Sequence, residues 1–163
     1  MISLREITEN NFDECIALSV DEGQEEFVAK NVTSLAQAWL YQSRARPFAI
    51  YNNEEMVGFM MLDIDDDGDG SQKTCYLWRL MMDKKHQAKG YGKAAMLNAI
   101  SYVKSTYPAT QMKTSIVPGN VHAEKLYKQL GFVPTGELTG QDGDDDREII
   151  MALKFSDDAE LRP

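Results

Sequence analysis

The residues best placed to do chemistry sit in one turn. Gly90-Tyr91-Gly92 stands among Lys84, Lys85, Lys89 and Lys93, opposed only by Asp83, in a chain whose net charge is −9. Glycines let a backbone approach a ligand without a Cβ in the way. The first amides of a helix lack intrahelical partners and lie at the positive end of its dipole. Together these features make an anion site suited to phosphate. A basic island on an acidic chain points to a locally held anionic ligand, because nucleic-acid binders spread positive charge over a whole face. A solvated lysine loop explains the charges alone equally well, and the glycines decide for the ligand.

Such a turn needs a strand to feed it and a helix to leave it. Tyr76 to Met82 reads as the strand, Asp83 to Gly92 as the loop, and a helix begins near Lys93 with Met96, Ala99, Ile100 and Val103 on one face. Gly90 to Ala95 fits a loose G-x-G-x-x-A, but a dinucleotide fold wants an acidic residue about twenty positions on, where Thr110 to Lys113 offers none. No G-x-x-x-x-G-K-[ST] occurs, so a P-loop is not indicated.

The longer run Gln87-Ala88-Lys89-Gly90-Tyr91-Gly92 resembles the acetyl-coenzyme A motif of the GNAT superfamily of N-acetyltransferases, Gln/Arg-x-x-Gly-x-Gly/Ala. Ala88 stands where many members have Gly, a departure that costs little where φ is negative. Asn120 to Phe132 has its own logic: Asn120 suits an N-cap, Gly131 a C′ position, and Ala123, Leu126, Tyr127 and Leu130 share a face. This segment also resembles the second GNAT motif, Asn-x-x-Ala-x-x-Leu-Tyr-x-x-x-Gly-Phe, at every defined position. Taken alone, Tyr127 reads as a core tyrosine of an amphipathic helix.

The resemblance implies an α/β fold, a central mixed and mostly antiparallel sheet flanked by helices, in which the strands ending at Met82 and Val117 are parallel and splay apart at the cofactor cleft. It implies that acetyl-coenzyme A is the acetyl donor, with its pyrophosphate on the amides of Gln87, Ala88, Lys89, Gly90, Tyr91, Gly92 and Lys93 and its pantetheine beside Leu80, Met81 and Met82. Asn120 completes the cofactor set, and backbone amides near Leu80 to Met82 serve as oxyanion donors. Tyr127 is the implied proton donor to the departing thiolate, since a phenol of pKa about 10 stays protonated at pH 7.

Acetyl transfer to an amine also needs an acceptor site and a base. Glu26 to Ala38 and Trp78 to Asp83 resemble bacterial diamine and polyamine (spermidine/spermine) acetyltransferases. Glu22, Glu25 and Glu26 are therefore the candidate acceptor-binding residues, able to hold distal ammonium groups, and an acidic surface would steer a polycation inward. The base is unassigned: Glu22, Glu25, Glu26 or a water held by one of them suits, whereas His86 and His122 are weaker candidates on expectedly solvated positions. A protein N-terminus or an antibiotic amine is the alternative acceptor, and a non-catalytic coenzyme A-binding module the alternative class. Retention of Asn120 and Tyr127 speaks against the latter.

The 163 residues, 43% hydrophobic and 26% charged, read as one soluble N-acetyltransferase domain over 1–155 with a mobile tail over 156–163. Cys15 and Cys75 lack ligand-like spacing and read as small core residues, so no metal is expected. The start of the chain lacks the features of a signal peptide and no stretch is long enough to span a bilayer, which makes a cytoplasmic protein with no membrane or nucleic-acid partner the expectation. A homodimer is compatible with the sequence, which does not fix the oligomeric state.

Along the chain, Ile2 to Ile7 reads as a strand, and a helix capped by Asn10 or Asn11 runs on to Val20. A second helix is expected with Ser34 as cap and Leu35, Ala38 and Trp39 as its apolar side. Two strands, Pro47 to Tyr51 and Met56 to Leu62, form a hairpin, and Met112 to Val117 is a further strand. Val133 to Glu137 and Arg147 to Lys154 close the sheet around an acidic tip, Gln141 to Asp146. Asp63 to Gly70 superficially resembles a calcium loop, but the flanking helices and the twelfth-position Glu are missing, so it reads as a solvated turn.

Overall fold

The computed structural model describes residues 1–64, 73–140 and 146–156. Its elements run β1 (Ile2–Glu6), α1 (Phe12–Ala17), α2 (Asn31–Leu40), β2 (Ala45–Asn52), β3 (Glu55–Ile64), β4 (Lys73–Met82), a 3-10 turn (Lys84–His86), α3 (Tyr91–Thr106), β5 (Ala109–Ile116), α4 (Val121–Gln129), β6 (Val133–Leu138) and β7 (Ile149–Lys154). The strands form one sheet in the order β1-β2-β3-β4-β5-β7-β6. Among the described residues every neighbouring pair is antiparallel except β4 with β5. This is the mixed, mostly antiparallel sheet that the two motifs require, with the strands ending at Met82 and Ile116 as its parallel neighbours.

Those two strands part because of a bulge. β4 pairs with β5 from Lys73↔Ala109 to Leu77↔Thr114 and no further. On its other edge β4 pairs with β3 through Met61↔Arg79 and Leu62↔Leu77, so Trp78 is the extra residue. A bulge bends its strand and raises its twist, and here it turns β4 away from β5 where their pairing ends. It also exchanges the two faces of the strand. Cys75 and Leu77 share a core with Leu80 and Met82, while Trp78 and Met81 join the core on the opposite face.

Helices cover both faces. α3 and α4 pack on one, where Met96, Ala99, Val103, Tyr127 and Phe132 meet Ile50, Met60, Leu62 and Met112. α1 and α2 cover the other, over Ala49, Phe59, Met61 and Met81. Cys15 and Cys75 are fully buried among these apolar groups, as small core residues. No helix among the described residues is long and apolar enough to cross a membrane.

Four local expectations are corrected. α1 stops at Ala17 instead of reaching Val20, because the buried Asp83 carboxylate accepts the Ser19 amide at 3.0 Å and Ser19 C=O accepts the Lys84 amide at 2.8 Å, tying that segment to the turn after β4. α2 begins at Asn31, so Ser34 is a buried residue inside the helix whose hydroxyl donates to Lys30 C=O. Trp39 is 73% exposed and does not belong to the apolar side. α3 begins at Tyr91, two residues before Lys93. Residues 65–70 of the acidic turn, 141–145 of the acidic tip and 157–163 of the tail lie outside the described residues.

Candidate active site

The glycine turn is built as an anion cradle. Gly90 is left-handed, with φ +77°, directly before α3. The first helical bond runs from the Ala94 amide to Gly90 C=O at 3.2 Å, so the amides of Tyr91, Gly92 and Lys93 precede it and have no carbonyl to reach within the helix. Ala88 is also left-handed, with φ +59°. The condition under which alanine would cost little here is therefore unmet, and a left-handed non-glycine residue costs about 1–2 kcal/mol. Gln87 holds the turn down: its side-chain amide Nε2 donates to Gln24 Oε1 at 2.7 Å and to Met82 C=O at 3.2 Å.

The cradle opens into a groove of about 380 Å³. Leu80, Met81, Met82, Gln87, Ala88, Gly90, Gly92, Lys93, Asn120 and Tyr127 line it. Two expected contacts do not. Lys89 Nζ donates to Lys85 C=O at 2.9 Å, and the Tyr91 hydroxyl is turned to Asn52, accepting from its Nδ2 at 3.2 Å, so neither side chain lines the groove. The groove adds residues that the sequence reading missed: Lys125 brings a cation from α4, while Val20, Phe27, Val28 and Leu126 supply apolar wall. A charged end beside an apolar channel fits coenzyme A in both of its chemistries, pyrophosphate and pantetheine.

α4 sets the far wall. Asn120 Oδ1 accepts the Ala123 amide at 3.1 Å, capping the helix. At the other end the Phe132 amide donates to Tyr127 C=O at 3.0 Å and the Gly131 amide to Lys128 C=O at 3.1 Å, with Gly131 at φ +92°. These two bonds form a Schellman stop. Tyr127 is held between them, 5% exposed, with its ring 5.6 Å from that of Phe132. Burial pushes its phenol up to about 12, and a side-chain interaction with Thr114 offsets part of that rise.

A second cavity of about 330 Å³ lies in the gap between β4 and β5. Its walls include Glu25, Glu26, Trp78, Arg79, Thr114, Ser115 and Glu148. Phe27, Val28, Leu80, Asn120, Ala123 and Tyr127 line both cavities, so the two meet at Tyr127 and Leu80. At the vertex Thr114 Oγ1 donates to Leu77 C=O at 3.2 Å, closing the last paired step of the strands. Past Leu77, the edge of β4 that faces β5 has no strand pairing among the described residues, which leaves backbone amides for a ligand.

Glu22 is exposed and lines neither cavity, in contrast to Glu25 and Glu26. Arg79 and Glu148 were not singled out in the sequence, because the strand partner that faces them is set by the bulge and by β7. Arg79 donates to Gln37 Oε1 at 3.2 Å and lies 5.4 Å from the Trp78 ring. Burial lowers its guanidinium pKa, against the raising effect of Glu148. His122 lines the first cavity from an exposed position. His86 is not solvated as expected: its side chain is 12% exposed, with Nε2 3.5 Å from Glu55 and a buried Nδ1 lacking a hydrogen-bond partner among the described residues.

Comparison with known proteins agrees with this geometry. The model of the acetyltransferase (GNAT) family matches residues 7–132. The chain is 28% identical over 139 residues, covering 84% of it and 91% of the relative, to the probable spermine N(1)-acetyltransferase of Bacillus subtilis subsp. natto. Its fold resembles that of spermidine N-acetyltransferase from Vibrio cholerae in complex with CoA and spermine, with a TM-score of 0.71, 15% identity, and 94% and 95% of the two chains covered. It also resembles aminoglycoside acetyltransferase AAC(6')-Ib in complex with coenzyme A, with a TM-score of 0.74, 15% identity and the same coverage. The phosphate cradle, the parted parallel strands and the tyrosine at their meeting point thus have one source: the chain belongs to the GNAT family of acetyltransferases, enzymes that take their acetyl group from acetyl-coenzyme A.

Proposed function

We propose that this acetyltransferase moves the acetyl group of acetyl-coenzyme A to a primary amine of a small polyamine such as spermidine or spermine. The observation that carries the reading is the second cavity, whose lining includes Glu25, Glu26, Trp78 and Arg79 and which shares Tyr127 with the cofactor groove. Carboxylates at the mouth hold the distal ammonium groups while the reacting amine reaches Leu80 and Tyr127. Relatives named for spermine and spermidine, at 27–28% identity, support the same choice.

In this mechanism the amides of Tyr91, Gly92 and Lys93, with Lys93 and Lys125, hold the pyrophosphate. The unpaired edge of β4 near Leu80 to Met82 orients the thioester and faces its oxyanion, where fixed donors act in a site shielded from water. The amine forms a C–N bond to the carbonyl carbon as the C–S bond breaks, and the phenolic proton of Tyr127 goes to sulfur. Phe27 and Val28, present in both cavities, exclude water from the junction.

One observation favours a second reading. Arg79 in the acceptor cavity has a buried Nε without a hydrogen-bond partner among the described residues, a donor suited to a carbonyl next to the amine, as at a peptide N-terminus. A thiol-release assay comparing spermidine with an N-terminal peptide separates the two. The polyamine reading expects the higher kcat/KM for spermidine, with the gap narrowing at high salt because screening weakens attraction between exposed charges. A higher kcat/KM for the peptide would reverse the assignment.

A further inference from the structure

Turnover of an amine at neutral pH requires removal of a proton before the C–N bond forms. A primary amine with a pKa of about 10.4 is protonated in all but roughly one molecule in 2,500 at pH 7. Resting on the proposed acceptor reading, we infer that Glu148 is the general base that takes this proton.

Glu148 lines the acceptor cavity together with Tyr127, at the point where β7 enters the sheet beside the end of β5. Its position is fixed on three sides. Its amide donates to Thr139 Oγ1 at 2.8 Å, its C=O accepts the Thr139 amide at 2.9 Å, and its Oε2 accepts the hydroxyl of Ser115. A carboxylate held by one oxygen can present the other to a ligand in a fixed direction, the condition that a positioned base must meet. Glu25 and Glu26 are exposed on the loop before α2, with no such anchor among their described contacts. The charged or titratable groups around Glu148 are Arg79 from β4, Glu25 and Glu26 from that loop, Tyr127 from α4, and Arg147 beside it, whose Nε donates to Thr139 C=O. Arg79 feels the charge of Glu148 directly.

The proton balance closes. The ammonium gives one proton to Glu148, and the amine attacks the thioester carbon. The C–S bond breaks with the Tyr127 proton passing to sulfur. The second proton on nitrogen returns to the Tyr127 oxygen, and Glu148 releases its proton to solvent, one for each ammonium acetylated.

The test uses the full chain, acetyl-coenzyme A as donor, coenzyme A for calorimetry, and whichever of spermidine or the N-terminal peptide the wild type turns over faster. Wild type active on the peptide alone refutes the polyamine reading without touching Glu148, which is then tested on the peptide. Glu148→Gln is expected to keep coenzyme A affinity by calorimetry and to lower kcat at pH 7 by about 10²–10⁴-fold. Its log kcat/KM should rise with unit slope between pH 6.5 and 8.5, as free amine replaces the missing base, where the wild type flattens. Ser115→Ala is expected to lower kcat about fivefold, the worth of one hydrogen bond, without gaining that slope. Full kcat in Glu148→Gln, or a raised KM with kcat and pH profile unchanged, overturns the proposal. Should Glu148→Gln fail to fold, an unchanged kcat in Ser115→Ala overturns it instead.

Discussion

Tyr127 shows how burial shapes an acid. Its phenol, pushed up to about 12, holds its proton throughout the neutral range. Donation to a free thiolate of pKa about 8.5 would be uphill by roughly 5 kcal/mol. The same dry surroundings raise the departing thiolate as well, since desolvation disfavours every charge near the junction. The phenol then stabilises the sulfur as its charge develops, and a phenolate so basic recovers a proton readily from the newly acylated nitrogen. Tyr127→Phe keeps the ring against Phe132 and should keep fold and cofactor affinity, while kcat falls by about 10²–10⁴-fold. Steady-state kinetics with calorimetry checks this; full kcat would leave Tyr127 as a packing residue only.

At the scale of elements, the site depends on how β4 is bent and how α3 begins. Gly58 on β3 lies against the bulged strand so closely that a Cβ there would sit 2.5 Å from Met81 C=O. The strand that faces the donor is thus positioned by its neighbour's missing side chain. Gly92 differs, for a Cβ there would meet Met82 Cγ at 3.6 Å, an ordinary contact. Gly92→Asp should therefore fold, yet place a carboxylate among the amides meant for pyrophosphate. Coenzyme A affinity should drop by about tenfold or more, since a helix start that favours an anion by ~1 kcal/mol now has one built in, with like-charge repulsion added. Calorimetry giving the wild-type affinity would remove the pyrophosphate from this turn.

For the whole molecule, burial of three acids ties stability to alkaline pH. Burial, with the nearby charge of Asp63, raises Cys75 to about 12; burial, with Glu14, raises Cys15 to about 11. Tyr127 adds to them. Each folded value exceeds the unfolded one, so the unfolded chain loses these protons first. Their contribution is complete below pH about 9 and disappears as pH rises through 11 and 12. Urea titration should give a midpoint that is steady from pH 7 to 8.5 and falls between pH 9 and 11; a midpoint constant to pH 11 would contradict the burial of these groups. The residues that decided the reading at this scale were local. Gly90, Gly92 and the lysines announced a phosphate site, and Asn120, Tyr127 and Gly131 announced a capped helix, because capping and left-handed turns depend on a few adjacent residues. Short apolar runs then marked β2 and β3, and alternation marked β5, near their observed bounds. Only the tertiary structure could decide the rest. The bulge at Trp78 leaves no local mark, since it exists only relative to the register of β3, yet it parts β4 from β5 and turns Leu80 and Met82 to the cofactor face. Gln24 meets Gln87, and Glu148 meets Ser115, across separations of 63 and 33 residues. Such contacts are fixed by the packing of one strand or loop on another, and no periodicity in the chain encodes them.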